Sequence, residues 1–443
     1  MEDSENQHYL SPGQLRVGLY IHLDLSWLEH PFKFNNFRIR SQAEIVQIKA
    51  LGLERIRYDP LRSDPAALPV RTDEIPGRAL AEEAVQAAGS AQPDAVAEPG
   101  IHVQAHDKAE PAKDDRRSRL KALHHAIHEC ERRFSDVARD VKRIERDICV
   151  NPAKNLDEAQ VLIRALDSLL TEGEVVLHAM QPRAGAPDHY VHALNVMVLA
   201  LILAKTLDMR CEEARDVGLG ALFHDIGKTQ IPDRVVLKTD PLTTAEAALL
   251  RQHPELGARL AAGMGFPEAV VRIILQHHEW CDGTGYPARL QRESIDPLAR
   301  VVAIVNMYEN LCNPANVNDA MTPYEALAHL FAKQRRKLDA DVLMLFIKTL
   351  GIYPPGSIVE LSDNTFGTVI SVNPNKPLRP HVLMHAPKVP RDQPLVVNLG
   401  ETASVTIARC LRPSQLPRDV FEYLAPARRI CYFFRAESPE CDS

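Results

Sequence analysis

The sequence lacks the features that mark several broad classes of protein. Its eight cysteines (Cys130, Cys149, Cys211, Cys281, Cys312, Cys410, Cys431 and Cys441) are singletons, and no Cys-x-x-Cys pair occurs. Eight in 443 residues is too sparse for a disulfide scaffold and points to a reducing, cytoplasmic compartment. No apolar run approaches the ~20 residues needed to span a bilayer. The longest, residues 196–204, stops at Lys205. Residues 1–7 are polar and acidic, without the basic start or apolar stretch of a secretory signal. A basic surplus is also missing: 52 Lys and Arg stand against 59 Asp and Glu, a net charge of −7. That argues against a nucleic-acid polymer as partner. No long internal repeat is present. With 45% apolar and 25% charged residues the chain is an ordinary globular protein, long enough for about three domains.

The pattern along the chain predicts a multidomain protein. Residues 8–85 read as a small α+β domain. The run 15–23 (LRVGLYIHL) is rich in strand formers, and 37–39 is a second short run. Ser41 is placed to cap a helix ending near Leu51, with Glu44 as its capping-box partner; Gly52 stops it and residues 55–58 return as a strand. Residues 86–115 turn to Ala, Pro, Gln, Glu and Asp, a composition that cannot bury enough surface to order itself and reads as a flexible linker. Across 116–150, Leu120, Leu123, Ile127, Cys130, Phe134, Val137, Val141, Ile144 and Ile148 recur at steps of three and four. That heptad seam suits a helix packed on its own chain or a coiled coil joining two copies into a homodimer. Residues 156–350 read as helices throughout, an all-α core. Residues 351–435 carry short strand-like runs at 358–361, 366–372, 381–384, 395–397 and 404–407, which predict a small β-rich C-terminal domain.

The helical block holds a concentration of metal-type side chains. His192 lies near the start of an apolar helix, with Asp188 four residues earlier on the same face. His224-Asp225 follows an apolar run and precedes Ile-Gly-Lys228. His253 sits in Arg251-Gln-His-Pro, and His277-His278-Glu279 leads into Asp282-Gly-Thr-Gly285-Tyr286-Pro287. Paired imidazoles are costly to bury without a partner. Histidines mixed with carboxylates suit iron, manganese or zinc. One carboxylate can bridge two cations, and two metals ~3.5–4 Å apart activate water and clamp the oxygens of a phosphoester. Adjacent ligands on a helix diverge by ~100°, so His224 and Asp225 share a metal only at a crowded helix end, where Gly227 leaves room. Lys228 is then placed to neutralise a phosphoryl oxygen.

His224-Asp225-Ile-Gly-Lys228, Arg251-Gln-His253-Pro-Glu-Leu-Gly257 and His277-His278-Glu-Trp-Cys-Asp282-Gly-Thr-Gly285-Tyr286-Pro287 resemble the signature of the HD-GYP family, a branch of the HD metal-dependent phosphohydrolases. The resemblance covers roughly residues 180–350, and segment 8–85 resembles a small domain often found ahead of it. It implies an all-α HD-type bundle as catalytic core, two or three divalent ions (iron or manganese), and hydrolysis of the bacterial second messenger cyclic di-GMP to pGpG or GMP. It further implies that His192, His224, Asp225, His253, His277 and His278 are metal ligands. Lys228, with Asp225, would act on the phosphate, and Asp188 would supply the extra carboxylate of three-metal members. Gly283, Gly285, Tyr286 and Pro287 would form the substrate-side loop.

The pattern departs from the family in places. The family expects a final ligand Asp in Ala-Arg-Ile-x-x-x-x-Asp-x-Tyr-Asp-Ala-Leu, whereas this chain has Asn306 there, followed by Tyr308 and Glu309. An amide oxygen can coordinate a metal but without the charge, so affinity should fall and the acidity of bound water should change. Glu309, one turn on, is a candidate substitute carboxylate. The Arg-Pro-Tyr segment expected next is replaced by CNPANVN at 312–318, and the Arg-Trp after His-His-Glu by Trp280-Cys281. The alternatives to an active phosphodiesterase are a catalytically weak receptor or scaffold that binds cyclic di-GMP or a signalling protein, and a phosphohydrolase of another nucleotide.

Overall fold

A capped helix over a four-stranded sheet builds the N-terminal segment. In the computed structural model, which describes residues 8–25, 32, 35–64, 111–171, 174–180, 188–372, 380–389, 395–400, 405–426 and 430–437, the chain divides into two units, Met1–Arg119 and Leu120–Ser443. In the first, strands β1 (His8–Leu10), β2 (Tyr20–His22) and β3 (Asn36–Arg38), helix α1 (Gln42–Ala50) and strand β4 (Ile56–Asp59) form an antiparallel sheet in the order β1-β4-β2-β3 with one helix. Ser41 Oγ accepts from the Glu44 amide, and the Glu44 carboxylate accepts from the Arg40 amide one position before the expected partner. α1 buries Ile45 and Ile48 against Leu19, Ile21, Ile39 and Ile56. Residues 1–7, 65–85 and the expected linker at 86–110 lie outside the described residues. Residues 111–115, read as linker from composition, are helical.

They open α2 (Pro111–Asp147), which carries the heptad seam. Cys130, Phe134, Val141, Ile144 and Ile148 are all buried within one chain. Cys130 Sγ donates to Phe434 O, and the Phe134 ring meets Phe433 edge-on at 6.0 Å. From 130 to 148 the seam thus packs on its own chain, the first of the two arrangements that its spacing allows. The side chains of Leu120, Leu123 and Ile127 are not described.

The rest comprises α3 (Pro152–Thr171), β5 (Glu174–Met180), α4 (Asp188–Thr206), α5 (Cys211–Phe223), α6 (Asp233–Val236), α7 (Thr244–Leu250), α8 (His253–Gly263), α9 (Glu268–Gln276), α10 (Pro297–Cys312), α11 (Pro323–His329) and α12 (Ala340–Leu350). β6 (Ile358–Leu361), β7 (Phe366–Val372), β8 (His381–Met384), β9 (Val396–Asn398), β10 (Ile407–Leu411), α13 (Arg418–Leu424) and β11 (Cys431–Glu437) follow. The apolar run 196–204 is the middle of α4, and each of its nine side chains is at most 2% exposed. A helix apolar on all sides belongs at the centre of a bundle, and α4 packs against α5, α10, α12 and β11. Among the described residues no helix is long and apolar enough to cross a membrane.

The block 156–350 is not helical throughout. Residues 174–180 form β5, a strand of the C-terminal sheet, whose order is β10-β6-β7-β5-β11 with β8 added on β7 and β9 on β8. β11 pairs antiparallel with β5 along its whole length, from Cys431 opposite Met180 to Glu437 opposite Glu174. One end of the sheet is thus tied to the bundle by a pairing that spans about 250 positions of sequence. The tie is reinforced by a buried pair of phenols, Tyr308 Oη of α10 and Tyr432 Oη of β11, 2.8 Å apart.

Removing one hydroxyl strands its partner in the core. Tyr308→Phe should destabilise the protein by about 1–3 kcal/mol. The double change Tyr308→Phe with Tyr432→Phe should cost less than the sum of the two single changes, measured as thermal or denaturant midpoints in a double-mutant cycle. Additive costs would mean that the two phenols do not act as a pair.

Candidate metal centre

Helix ends build the centre. His224 is the C-cap of α5, His277 is the C-cap of α9, and His253 is the first residue of α8, directly beyond α7. The last carbonyls of a helix lack an onward intrahelical donor. In all three places the imidazole fills that role: Nδ1 lies 2.7 Å from the carbonyl three residues back, at Ala221, Leu250 and Ile274. Each Nδ1 therefore carries the proton and donates it to a carbonyl, which leaves a lone pair on each Nε2. His192, on α4, is oriented differently: its Nδ1 is hydrogen-bonded to the buried Glu309 carboxylate.

These lone pairs converge. Asp225, at the start of the 3-10 turn Ile226–Gln230, lies between two groups of imidazoles. Its Oδ2 is 3.4 Å from His224 Nε2 and 3.5 Å from His192 Nε2; its Oδ1 is 3.2 Å from His253 Nε2 and 4.0 Å from His277 Nε2. Ligand atoms of His192, His224 and Asp225 all lie within 4.8 Å of one another, as do those of Asp225, His253, His277 and His278. His224 Nε2 is 3.0 Å from His192 Nε2, and His253 Nε2 is 3.2 Å from His277 Nε2. His253 and His277 both commit Nδ1 to carbonyls, so as neutral rings their Nε2 lone pairs face each other and repel unless a cation lies between them. Asp225 Oδ1 is buried and makes no hydrogen bond. The donor set fits divalent cations, with one carboxylate offering an oxygen to each group.

Electrostatics agree with that fit. Burial pushes the pKa of His224 down, and burial with the neighbouring imidazoles pushes His277 and His278 well below the usual histidine range. Neutral imidazole is the form that binds metal. Burial works against the charge of Asp225, yet His224 and Lys228 hold its carboxyl well below its ordinary value. Burial opposes a proton on His192 too, but Glu309 outweighs it and raises that pKa.

Two glycines let the helix ends close in. A Cβ on Gly227 would sit 2.0 Å from His253 O and 2.5 Å from the Gly257 nitrogen, so the 224–228 turn meets α8 backbone to backbone. Gly285 does the same for the loop beyond α9, where a Cβ would lie 2.4–2.6 Å from the backbone of residues 278–280. Glu279, 2% exposed, accepts from the amides of Ala288 and Leu290 and ties that loop down.

Six of the residues singled out in the sequence thus meet: His192, His224, Asp225, His253, His277 and His278. Lys228 is beside them, its Nζ donating to Asp225 Oδ2 at 2.6 Å. Tyr286, joined to Pro287 by a cis peptide, stacks on His278 with ring centres 4.6 Å apart, and the Arg251 guanidinium lies 5.7 Å from its ring centre. Asn306 is buried, and its Oδ1 accepts from Asn310 Nδ2 at 2.7 Å. Asp188 opens α4, but its side chain is not described. Glu309 is not a substitute ligand. Its carboxylate is taken up by His192 Nδ1, Asn195 Nδ2 and Asn313 Nδ2, so it acts behind His192. Glu145 of α2 is, by sequence, one more charged position of a heptad helix. Burial and then the charge of Asp225 raise its carboxyl well above the usual range, and only the fold brings it to this end of the bundle.

Comparison with known proteins gives three family matches. The HD domain model matches residues 175–342, a domain of unknown function (DUF3391) matches 9–159, and the KOW domain associated with HD domain matches 358–418. The cyclic di-GMP phosphodiesterase PA4108 of Pseudomonas aeruginosa is 31% identical over 394 residues, 87% of each chain. The cyclic di-GMP phosphodiesterase response regulator RpfG of Xanthomonas campestris is 34% identical over 163 residues, 36% of this chain and 43% of its own. Among solved structures, Bd1817, an HDG"Y"P protein from Bdellovibrio bacteriovorus, aligns over 77% of this chain and 98% of its own at 16% identity, with a TM-score of 0.40.

The buried imidazoles set a pH dependence for the metal-stripped protein. His224, His277 and His278 have lowered pKa values in the fold, so below about pH 6.5 the unfolded chain binds protons that the fold refuses. Their contribution is present above that pH and is lost as pH falls. His192 has the opposite sign, its contribution being present at low pH and lost as pH rises through its raised value. Glu145, with its raised carboxyl, shares the sign of His192; the three lowered histidines outweigh these two, so the melting temperature in chelator should drop between pH 7.5 and 5.5. A flat profile would show that these histidines are not buried in neutral form.

Proposed function

The chain belongs to the HD-GYP family, and from that premise we propose that it is a metal-dependent phosphodiesterase that hydrolyses cyclic di-GMP to pGpG or GMP. One observation carries the reading: the two oxygens of Asp225 each face a separate group of imidazole lone pairs. In this reading His192, His224 and Asp225 hold one divalent ion, and Asp225, His253, His277 and His278 hold a second, with iron or manganese as the preferred metals. Asn306 would add a neutral oxygen, and Asp188 a carboxylate for a third ion. Bound there, such ions supply an acidified water and positive charge for the phosphoryl oxygens.

The protein's own groups supply the rest. Asp225 stays ionised at working pH, with the Lys228 ammonium donating to its Oδ2. Lys228, one-third exposed, reaches from the Asp225 carboxylate toward solvent and can transfer its hydrogen bond to a phosphate oxygen of the incoming dinucleotide. Tyr286 keeps its phenol protonated, because burial and Asp225 both raise its pKa. Its ring is stacked on His278, and with Gly285 and Pro287 it forms the wall along which the substrate lies.

A second reading rests on Asn306. Its amide is neutral and already engaged by Asn310, which favours a weakly active receptor that binds the messenger or a protein partner without efficient turnover.

Two substitutions separate the readings. Protein loaded with Mn(II) or Fe(II) should convert cyclic di-GMP to linear products by chromatography, and His224→Ala should reduce conversion to that of buffer. Absence of conversion with both metals, while a relative works in the same assay, would sink the enzyme reading. Asn306→Asp preserves an acceptor for Asn310 and adds a charge. If it creates activity absent from the natural chain, the receptor reading stands; if the natural chain already turns over and the change alters little, the enzyme reading stands.

A further inference from the structure

The two groups of ligands are supported in different ways. His253 and His277 are each oriented by a carbonyl three residues away. His192 is oriented by Glu309, and Glu309 depends on residues from the far end of the chain. Asn195 Nδ2, on α4 one turn after His192, donates to Glu309 Oε1 at 3.0 Å and to Ile430 O at 2.9 Å. Asn313 Nδ2, just beyond α10, donates to the same Oε1 at 2.9 Å and the same Ile430 O at 3.0 Å. In return, Tyr432 N donates to Asn195 Oδ1 and Ile430 N to Asn313 Oδ1, each at 3.0 Å. Asn195 and Glu309 are wholly buried. Both amides therefore bridge the main chain at the start of β11 to the carboxylate behind a ligand.

We propose that the C-terminal strand is part of the metal centre. Its backbone at Ile430 and Tyr432 clamps Asn195 and Asn313, which fix Glu309 against His192, so that the His192–His224–Asp225 group alone depends on residues 430–432. Asn195 and Asn313 are positioning residues for one of two cations. The proposal rests on the reading that His192 holds a metal. It adds that the β-rich C-terminal sheet, of which β11 is an end strand, supports that cation and not the other. Any force on the sheet that shifts Ile430 would be felt first at His192.

The test is calorimetric titration of the full chain, stripped with chelator, with Mn(II) alone, on the natural protein, Asn195→Ala and the less buried Asn313→Ala. The natural protein should bind two equivalents tightly. Each variant should keep one equivalent at natural affinity and weaken the other by about 10–100-fold, the usual cost of losing support behind a ligand. Its metal-free melting should still show a folded protein. Retention of both equivalents at natural affinity overturns the proposal. Equal weakening of both, general unfolding included, also overturns it. If the natural protein itself binds no Mn(II), the metal-centre reading fails first and this inference falls with it, an outcome told apart by the unsubstituted control.

Discussion

The constraint on which the rest depends is the mutual repulsion of imidazole lone pairs around one carboxylate. Three histidines commit Nδ1 to a helix-end carbonyl, and that single choice points every Nε2 inward. The bonds are short and local, so they survive without metal. What they create is unfavourable in itself: the facing lone pairs of His253 and His277 at 3.2 Å, and a buried oxygen of Asp225 with no hydrogen bond. A folded chain tolerates such an arrangement only when something outside the chain compensates it. Divalent cations would do so, and Asp225 has one oxygen for each group.

Assembling helix ends at such distances requires backbone to touch backbone. Gly227 against Gly257 and Gly285 against the 278–280 backbone provide the contacts, since any side chain there would overlap neighbouring main-chain atoms. The bundle provides the scaffold. α4 is buried along its middle and carries His192 near its N-terminal end, so the ligand is anchored by nine apolar residues that have nothing to do with metal chemistry. Asp225 then needs only the C-terminus of α5 to meet that end.

Much of this is legible in the sequence, because it is written locally. The His-Asp pair, the spaced histidines and the glycines beside them lie within a few residues of the helix termini that use them, and helical periodicity marks those helices. Other features are written non-locally. The EVVLHAM of β5 shows no alternation and sits between helices; it is a strand because β11 and β7 pair with it from the other end of the chain. The heptad seam of α2 has the same periodicity whether its partner is another copy or β11, and sequence spacing cannot choose between them. In sequence Glu309 has the place of a spare ligand, because position along a helix does not show which atoms face it. With His192, Asn195 and Asn313 around it, its oxygens are already engaged.

The same division between local and distant runs through the metal centre. The His253–His277–His278 group comes from α8, α9 and the turn after it, elements adjacent in sequence and packed together. Its orienting bonds close over three residues, so it can form as soon as that helical pair docks. The His192 group joins α4, α5, α10 and the start of β11; apart from the local His224–Ala221 and Asn313–Glu309 bonds, its supporting bonds close over 114 to 237 residues. Loop closure makes such contacts late and costly to form. One chain has therefore built a shared carboxylate with a sturdy side and a contingent side. The contingent side is the one that joins the bundle to the C-terminal sheet, and it is at that junction that events elsewhere in the chain can reach the centre.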